Sequence, residues 1–117
     1  MRPNFPGSVP SRLLVYRMSV DLQASMAPTV DAIERRDRAL GDQLRRALSS
    51  VVLNLAESCA TADGHRTARR RTALGSAYEA IAAIDVATAS GHIAASRATP
   101  FRRELVRIAA ILTSLTR

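Results

Sequence analysis

From Ser11 onward, almost every long stretch repeats its apolar residues every three or four positions, a period that admits helices and little else. Val15, Met18, Leu22, Met26, Val30 and Ile33 form the first such stripe. Leu40, Leu44, Leu48, Val51, Val52, Leu55 and Cys59 form the second. Leu74, Ala77 with Tyr78, Ile81, and Ile84 with Asp85 form the third, and Leu105, Ile108, Ile111, Leu112 and Leu115 the fourth. No alternating strand pattern competes with them. The apolar content, 47% of residues, is mostly Ala, Leu, Val and Ile, with only 3% aromatics. Such chains favour thin helices that approach closely rather than sheets.

Punctuation between the stripes predicts four helices, at 11–36, 38–60, 66–90 and 100–116. Ser11, just after Pro10, is the expected N-cap of the first, and Asp37 of the second. Pro28 removes one hydrogen bond inside the first helix; the stripe continues through it, which favours a kink over a break. The segment Thr61 to His65 reads as a turn, with Gly64 for backbone freedom and Asp63 able to cap. Gly91 stops the third helix. Thr99 and Pro100 open the fourth, as a capping residue followed by proline at the first helical position. Short links between four amphipathic helices imply an all-α, up-down-up-down antiparallel four-helix bundle over 11–117. At 117 residues this is one domain. Residues 1–10, MRPNFPGSVP, hold three prolines and a glycine and read as a flexible arm. They contain no apolar segment of the secretory type. No apolar run approaches the roughly 20 residues of a membrane span. The single cysteine, Cys59, allows no disulfide within the chain and fits the cytoplasm.

The second helix carries more than its core stripe. Placed at 100° steps, Ser49, Leu53 and Ala60 lie opposite the stripe. Beside them run Arg46, Ser50, Asn54 and Glu57, spaced by four, four and three, so they share a face. A bundle helix buries one side; an apolar position on the far side points to contact with another subunit. Leu53 would anchor it, and the polar residues would fix register through hydrogen bonds and an arginine–carboxylate pair. The alternative is a single surface leucine, which needs no explanation.

The net charge is +7, and all 17 basic residues are arginine. Arginine grips phosphate and carboxylate with a fixed fork and stays charged. The excess points to a polyanion, nucleic acid first; a GC-rich coding bias and ordinary solvated faces would also produce it. Arg66, Arg69, Arg70 and Arg71 crowd the predicted start of the third helix, where the helix dipole disfavours cations. Arg35, Arg36 and Arg38 sit where the first helix meets the second. Arg97, Arg102 and Arg103 should join them, because the fourth helix starts at that end. Apart from Phe101 beside Arg102, no aromatic interleaves with these arginines, which argues for backbone contact without sequence preference rather than base stacking.

Catalytic chemistry finds little support. His65 and His92 have no cysteine or carboxylate cluster at metal-ligand spacing. No phosphate loop, nucleophile elbow or HExxH motif occurs, so neither cofactor nor metal is expected. The Glu-x-x-His pairs of di-iron bundles are absent. An enzyme is not expected.

The stretch DQLRRALSSVVLNLAES, residues 42–58, is similar to the pattern QLRRA-x-S-[IV]-x-x-N-[IL]-A-E-G of the small bacterial S23-like proteins. These were first noted in intervening sequences of 23S ribosomal RNA genes. RRRTALGSAYEAIAAIDVA, residues 69–87, resembles the R-x-x-x-x-x-x-G-S-x-x-E segment of the same family. The matching positions are Gln43, Arg45, Arg46, Asn54, Glu57, Gly75, Ser76 and Glu79. Ser58 stands where the family has glycine, and CATADGH departs from the usual glycine-rich, basic turn. The family includes the accessory variability determinant proteins of diversity-generating retroelements. The resemblance implies a bundle assembled into a ring, commonly a homopentamer. For the retroelement members it also implies nucleic-acid binding and partnership with a reverse transcriptase. It carries no catalytic residue.

Two functions follow as expectations. The first is a non-enzymatic homo-oligomer that binds RNA or DNA backbone through Arg35, Arg36, Arg38, Arg66, Arg69, Arg70, Arg71, Arg102 and Arg103, with Arg46, Ser50, Leu53, Asn54 and Glu57 at the subunit interface. The second is a structural protein-interaction module whose arginines meet acids of other subunits or of an acidic partner.

Overall fold

The computed structural model describes residues 9–117, apart from the Asp63 side chain. The described residues form four helices: α1 (Ser11–Arg36), α2 (Arg38–Ala60), α3 (Asp63–Ala89) and α4 (Ala95–Leu115). Consecutive helices run antiparallel. Gln23 of α1 donates to Ser49 of α2 at 2.8 Å, while Asp31 pairs with Arg45 farther along. Ser50 meets Ser76 at 2.7 Å across α2 and α3, and Glu57 meets Arg69. Each helix packs on its chain neighbours, the α2–α3 seam is the most extensive, and α1 against α4 closes the bundle. The longest dimension, 41 Å, matches α3, whose 27 residues rise about 1.5 Å each.

The core follows the stripes. All six α1 stripe residues are buried, as are Leu40, Leu44, Leu48, Val51 and Leu55 on α2. Leu105, Ile108 and Leu112 are buried on α4, with Ile111 and Leu115 packed against them. On α3 the core face is made of small residues: Ala73, Ala77, Ala80, Ala83 and Ala87, with only Ile81 and Ile84 as large members. Small side chains let helix backbones approach, which is why serine hydroxyls on α2 and α3 can touch directly.

The helix ends follow backbone chemistry. The Asp37 side chain accepts from the Leu40 amide at 3.1 Å and so caps α2. At the end of α3, Gly91 adopts φ +74°, the His92 amide donates to the Ala87 carbonyl, and the Gly91 amide donates to Thr88. That is a Schellman ending, in which glycine enters the left-handed region without a Cβ penalty. Ile93 is buried just beyond it. At the other end of the chain's first link, Gly41 is buried where α1 and α2 cross. A Cβ there would lie 2.6 Å from the Glu34 Cα.

Several expectations are corrected. Helix α3 starts at Asp63, not near Arg66, because the Arg66 amide already reaches the Ala62 carbonyl. Gly64 in its first turn costs at most about 1 kcal/mol. Helix α4 starts at Ala95, so Pro100 lies inside it and forfeits one backbone bond. Burial of Ile93 and Ala98 holds the added turn in place. Thr99 is not a cap; its hydroxyl donates to the Ala95 carbonyl. Ser11 is the first helical residue, and Pro10 holds the cap position without a side-chain bond. Helix α1 runs through Pro28, which is exposed. Cys59 is exposed, and Ser58, whose hydroxyl donates to the Leu55 carbonyl, occupies the core instead. The stripe there rotates by one residue because Ser58, not Cys59, stands three positions after Leu55. Tyr78 is exposed, since alanines fill the inner face of α3. The flexible arm expected over residues 1–10 falls almost wholly outside the described residues.

Candidate nucleic-acid interface

The arginines fall at two ends of the bundle, in different electrical settings. At one end, the link between α1 and α2 meets the turn between α3 and α4. His92 Nε2 lies 3.7 Å from Asp37 Oδ2, so the two connections come together. Arg35 and Arg36 close α1, Arg38 opens α2, and Arg97 lies in the first turn of α4, with Arg103 further along it. All five are exposed. None has a carboxylate in salt-bridge range among the described residues. The neighbouring acids are engaged with other arginines: Asp31 and Glu34 with Arg45, Asp42 with Arg46, Asp85 with Arg102, and Glu104 with Arg107. Asp37 is occupied in capping α2 and facing His92, and Glu79 of α3 lines a shallow hollow with Ala39, Asp42, Gln43 and Arg46.

At the other end the charges are more committed. Arg69 pairs with Glu57 at 3.4 Å. Arg66 donates to the Thr61 carbonyl at 3.5 Å. Arg70 is half-buried, and Arg71 is exposed. Because α3 begins at Asp63, Arg69, Arg70 and Arg71 lie beyond its first turn. The dipole effect fades within that turn, so their placement is not electrostatically adverse, contrary to the sequence expectation.

Arg102 and Arg45 serve the fold. Arg102 grips Asp85 through Nε at 2.8 Å and Nη2 at 3.2 Å, a bidentate tie between α4 and α3. The hydrogen bond to Asp85 and its charge hold Arg102 above the ordinary arginine pKa. Arg45 bonds Glu34 closely and Asp31 at 3.0 Å, joining α2 to the last turns of α1. The Glu34 hydrogen bond raises its pKa in the same way. Both arginines stay cationic at any working pH.

The second face of α2 divides in two. Ser50 and Glu57 engage α3 of the same chain, and the Asn54 amide donates to the Ser50 carbonyl at 2.9 Å and hydroxyl at 3.1 Å. Arg46 is 77% exposed and pairs with Asp42 at 3.5 Å. Leu53 is the most exposed large apolar residue described, at 63%. The Gln23–Ser49 bond sets the antiparallel register of α1 and α2, and three residues along from it Val20 comes level with Val52 and Leu53. Tyr16 then lies level with Ala56, and Leu13 with Cys59. Leu13, Tyr16 and Val20 are also exposed, so Leu53 belongs to an apolar strip along the outer α1–α2 groove.

Sequence reading missed the Asp31–Arg45–Glu34 cluster, the Asp85–Arg102 fork and the Gln23–Ser49 bond. Each joins residues 11 to 26 positions apart on different helices, and no spacing within one helix signals such a pair. Among the described residues no group of three or more metal-ligating side chains exists, and no helix is long and apolar enough to cross a membrane.

Comparison with known proteins agrees with the bundle geometry. No curated protein sequence matches. A solved structure of a protein with unknown function from the S23 ribosomal protein family of Bacteroides thetaiotaomicron superposes with a TM-score of 0.84. The match covers 92% of this chain and 98% of that one at 14% identity, a likeness of fold. The model of the 23S rRNA-intervening sequence protein family matches residues 11–114, all but the last residue of the four helices. The chain therefore belongs to the 23S rRNA-intervening sequence protein family.

Proposed function

We propose that this protein is a non-enzymatic homo-oligomer that binds the backbone of RNA or DNA through its arginines. The observation that carries this reading is the surplus of arginine without a carboxylate partner, within a chain of net charge +7. A charge left unneutralised by the fold remains available to phosphate, and arginine suits phosphate better than lysine does. Family membership favours a ring, with a pentamer as the working stoichiometry. A reverse transcriptase is the protein partner to test first, as in the retroelement branch of the family. A filter-binding salt titration tests the reading: log affinity should fall linearly with log salt, by about 0.9 per phosphate contacted on a duplex. Binding that is absent, or indifferent to salt, refutes it.

The second reading is a structural interaction module, and the apolar strip around Leu53 favours it. Under that reading the strip meets another protein surface, and the arginines meet acids there. Nucleic acid would then fail to compete with the protein partner.

A further inference from the structure

Resting on the nucleic-acid reading above, we infer that binding is confined to one end of the bundle, and that its ligand is a duplex rather than a single strand. The end is the one formed by the α1–α2 link and the α3–α4 turn, with Arg35, Arg36, Arg38, Arg97 and Arg103 as the contacts.

Three observations carry the choice of end. These five arginines are exposed and lack a carboxylate in bridging range among the described residues. At the opposite end Arg69 spends its charge on Glu57, Arg66 donates to the Thr61 carbonyl and Arg70 is half-buried, so Arg71 alone of that cluster is exposed without a carboxylate in bridging range among the described residues. An arginine already paired must give up that partner before it can hold a phosphate, whereas an unpaired one gives up only water. Glu34 and Asp42, which line one hollow with Arg38, are paired with Arg45 and Arg46, and Asp37 is turned toward the Leu40 amide and His92. It therefore opposes phosphate less than its sequence position between Arg36 and Arg38 suggests.

The choice of ligand rests on what the end lacks and how it is spread. Single-strand binders combine a basic groove with aromatic rings on which bases stack. Tyr16 is in the second turn of α1 at the far end and Tyr78 is midway along α3, while Phe101, on α4 between Arg97 and Arg103, has its ring packed against the core. Among the described residues no exposed aromatic ring stands beside the five arginines, since Phe101 is turned to the core and His92 faces Asp37. The five are distributed over three helices across a bundle whose shorter dimensions are 31 and 19 Å. A duplex offers backbones on both sides of a groove about 6 to 12 Å wide, which arginines on separate helices can straddle. A single strand offers one backbone and leaves part of such a patch empty.

The test is a salt-titrated binding assay with duplex and single-stranded oligonucleotides of one sequence, as RNA and as DNA. It uses the full chain, an Arg35/Arg36/Arg38→Ala variant, an Arg69/Arg70/Arg71→Ala variant, and Asp37→Asn. Asparagine caps a helix as well as aspartate does, so Asp37→Asn removes the charge and keeps the fold. The first triple variant should flatten the salt slope by about 0.9 per lost contact. The second should flatten it by no more than the one contact that Arg71 can supply, and Asp37→Asn should tighten binding at low salt. Duplex should outcompete single strand; the RNA and DNA arms report which duplex is preferred. Equal losses in the two triple variants overturn the one-ended site. Preference for the single strand overturns the duplex. Absence of salt-dependent binding to all four oligonucleotides refutes the underlying nucleic-acid reading itself.

Discussion

Adding one methyl group at Gly41 should destabilise the protein, although alanine is the better helix former. In an open helix, Gly→Ala gains about 1 kcal/mol. Here the new Cβ would sit 2.6 Å from Glu34 Cα, 2.6 Å from Glu34 Cβ and 2.8 Å from Glu34 N. Two of those atoms are backbone, so no rotamer change relieves the contact and α1 must move away from α2. That motion also pulls on Glu34, the close partner of Arg45. Overpacking of a tight interface costs about 1–3 kcal/mol, and the backbone contact places this case at the upper end. The net loss is then about 2 kcal/mol. For 117 residues, an unfolding entropy of about 2.1 cal/mol/K per residue converts this to a drop in Tm of about 8 °C. Gly75→Ala is the control, since a Cβ there meets nothing within 4 Å. It should raise Tm by about 2–4 °C through helix propensity alone. Thermal unfolding followed by far-UV circular dichroism, at one protein concentration throughout, reads both. If Gly41→Ala is stabilised as much as Gly75→Ala, the close approach of α1 and α2 at this point is wrong.

Leu53→Asp should convert the assembly to monomers in light scattering while helicity survives; a wild type that is already monomeric refutes the interface argument. Asp37→Ala should cost about 1 kcal/mol by uncapping α2, whereas Asp37→Asn should leave chemical denaturation unchanged. Leu44→Ala, at a residue with 0% exposure, should cost about 2–5 kcal/mol by opening a core cavity, measured by urea unfolding. Cys59→Ser should change stability by less than about 0.5 kcal/mol; a core-sized loss in the same assay would put Cys59 back inside the bundle.

How much of this was legible in the sequence differs from residue to residue. The α1 stripe from Val15 to Ile33 is legible because each member faces the core at one helical period, and burial of apolar surface enforces that period without reference to any other helix. Asp37 is legible because a cap is a contact between residues three apart. Gly91 is legible because the Schellman ending is closed within six residues. The start of α4 is not, because proline signals a first turn only when nothing upstream of it favours another; burial of Ala98 against the bundle overrode the signal. Ser58 and Cys59 exchanged places for a related reason. Both sit near the stripe's edge, and the packing angle of α2, not its sequence, chose between them. The candidate site divides the same way. The arginine clusters can be counted from sequence, but which arginines are neutralised cannot.

The sequence by itself determined an all-helical chain, four stripes, their punctuation, the excess of arginine and the family. Those are local properties: hydrophobic period, capping and composition act within a turn or two. Tertiary structure alone decided which charges remain. Asp85 reaches Arg102, Glu57 reaches Arg69, and Asp31 with Glu34 reaches Arg45, only because antiparallel packing sets the helices in one register. A charge pair needs its partners within about 4 Å, and the register that brings them there is a property of the packed bundle.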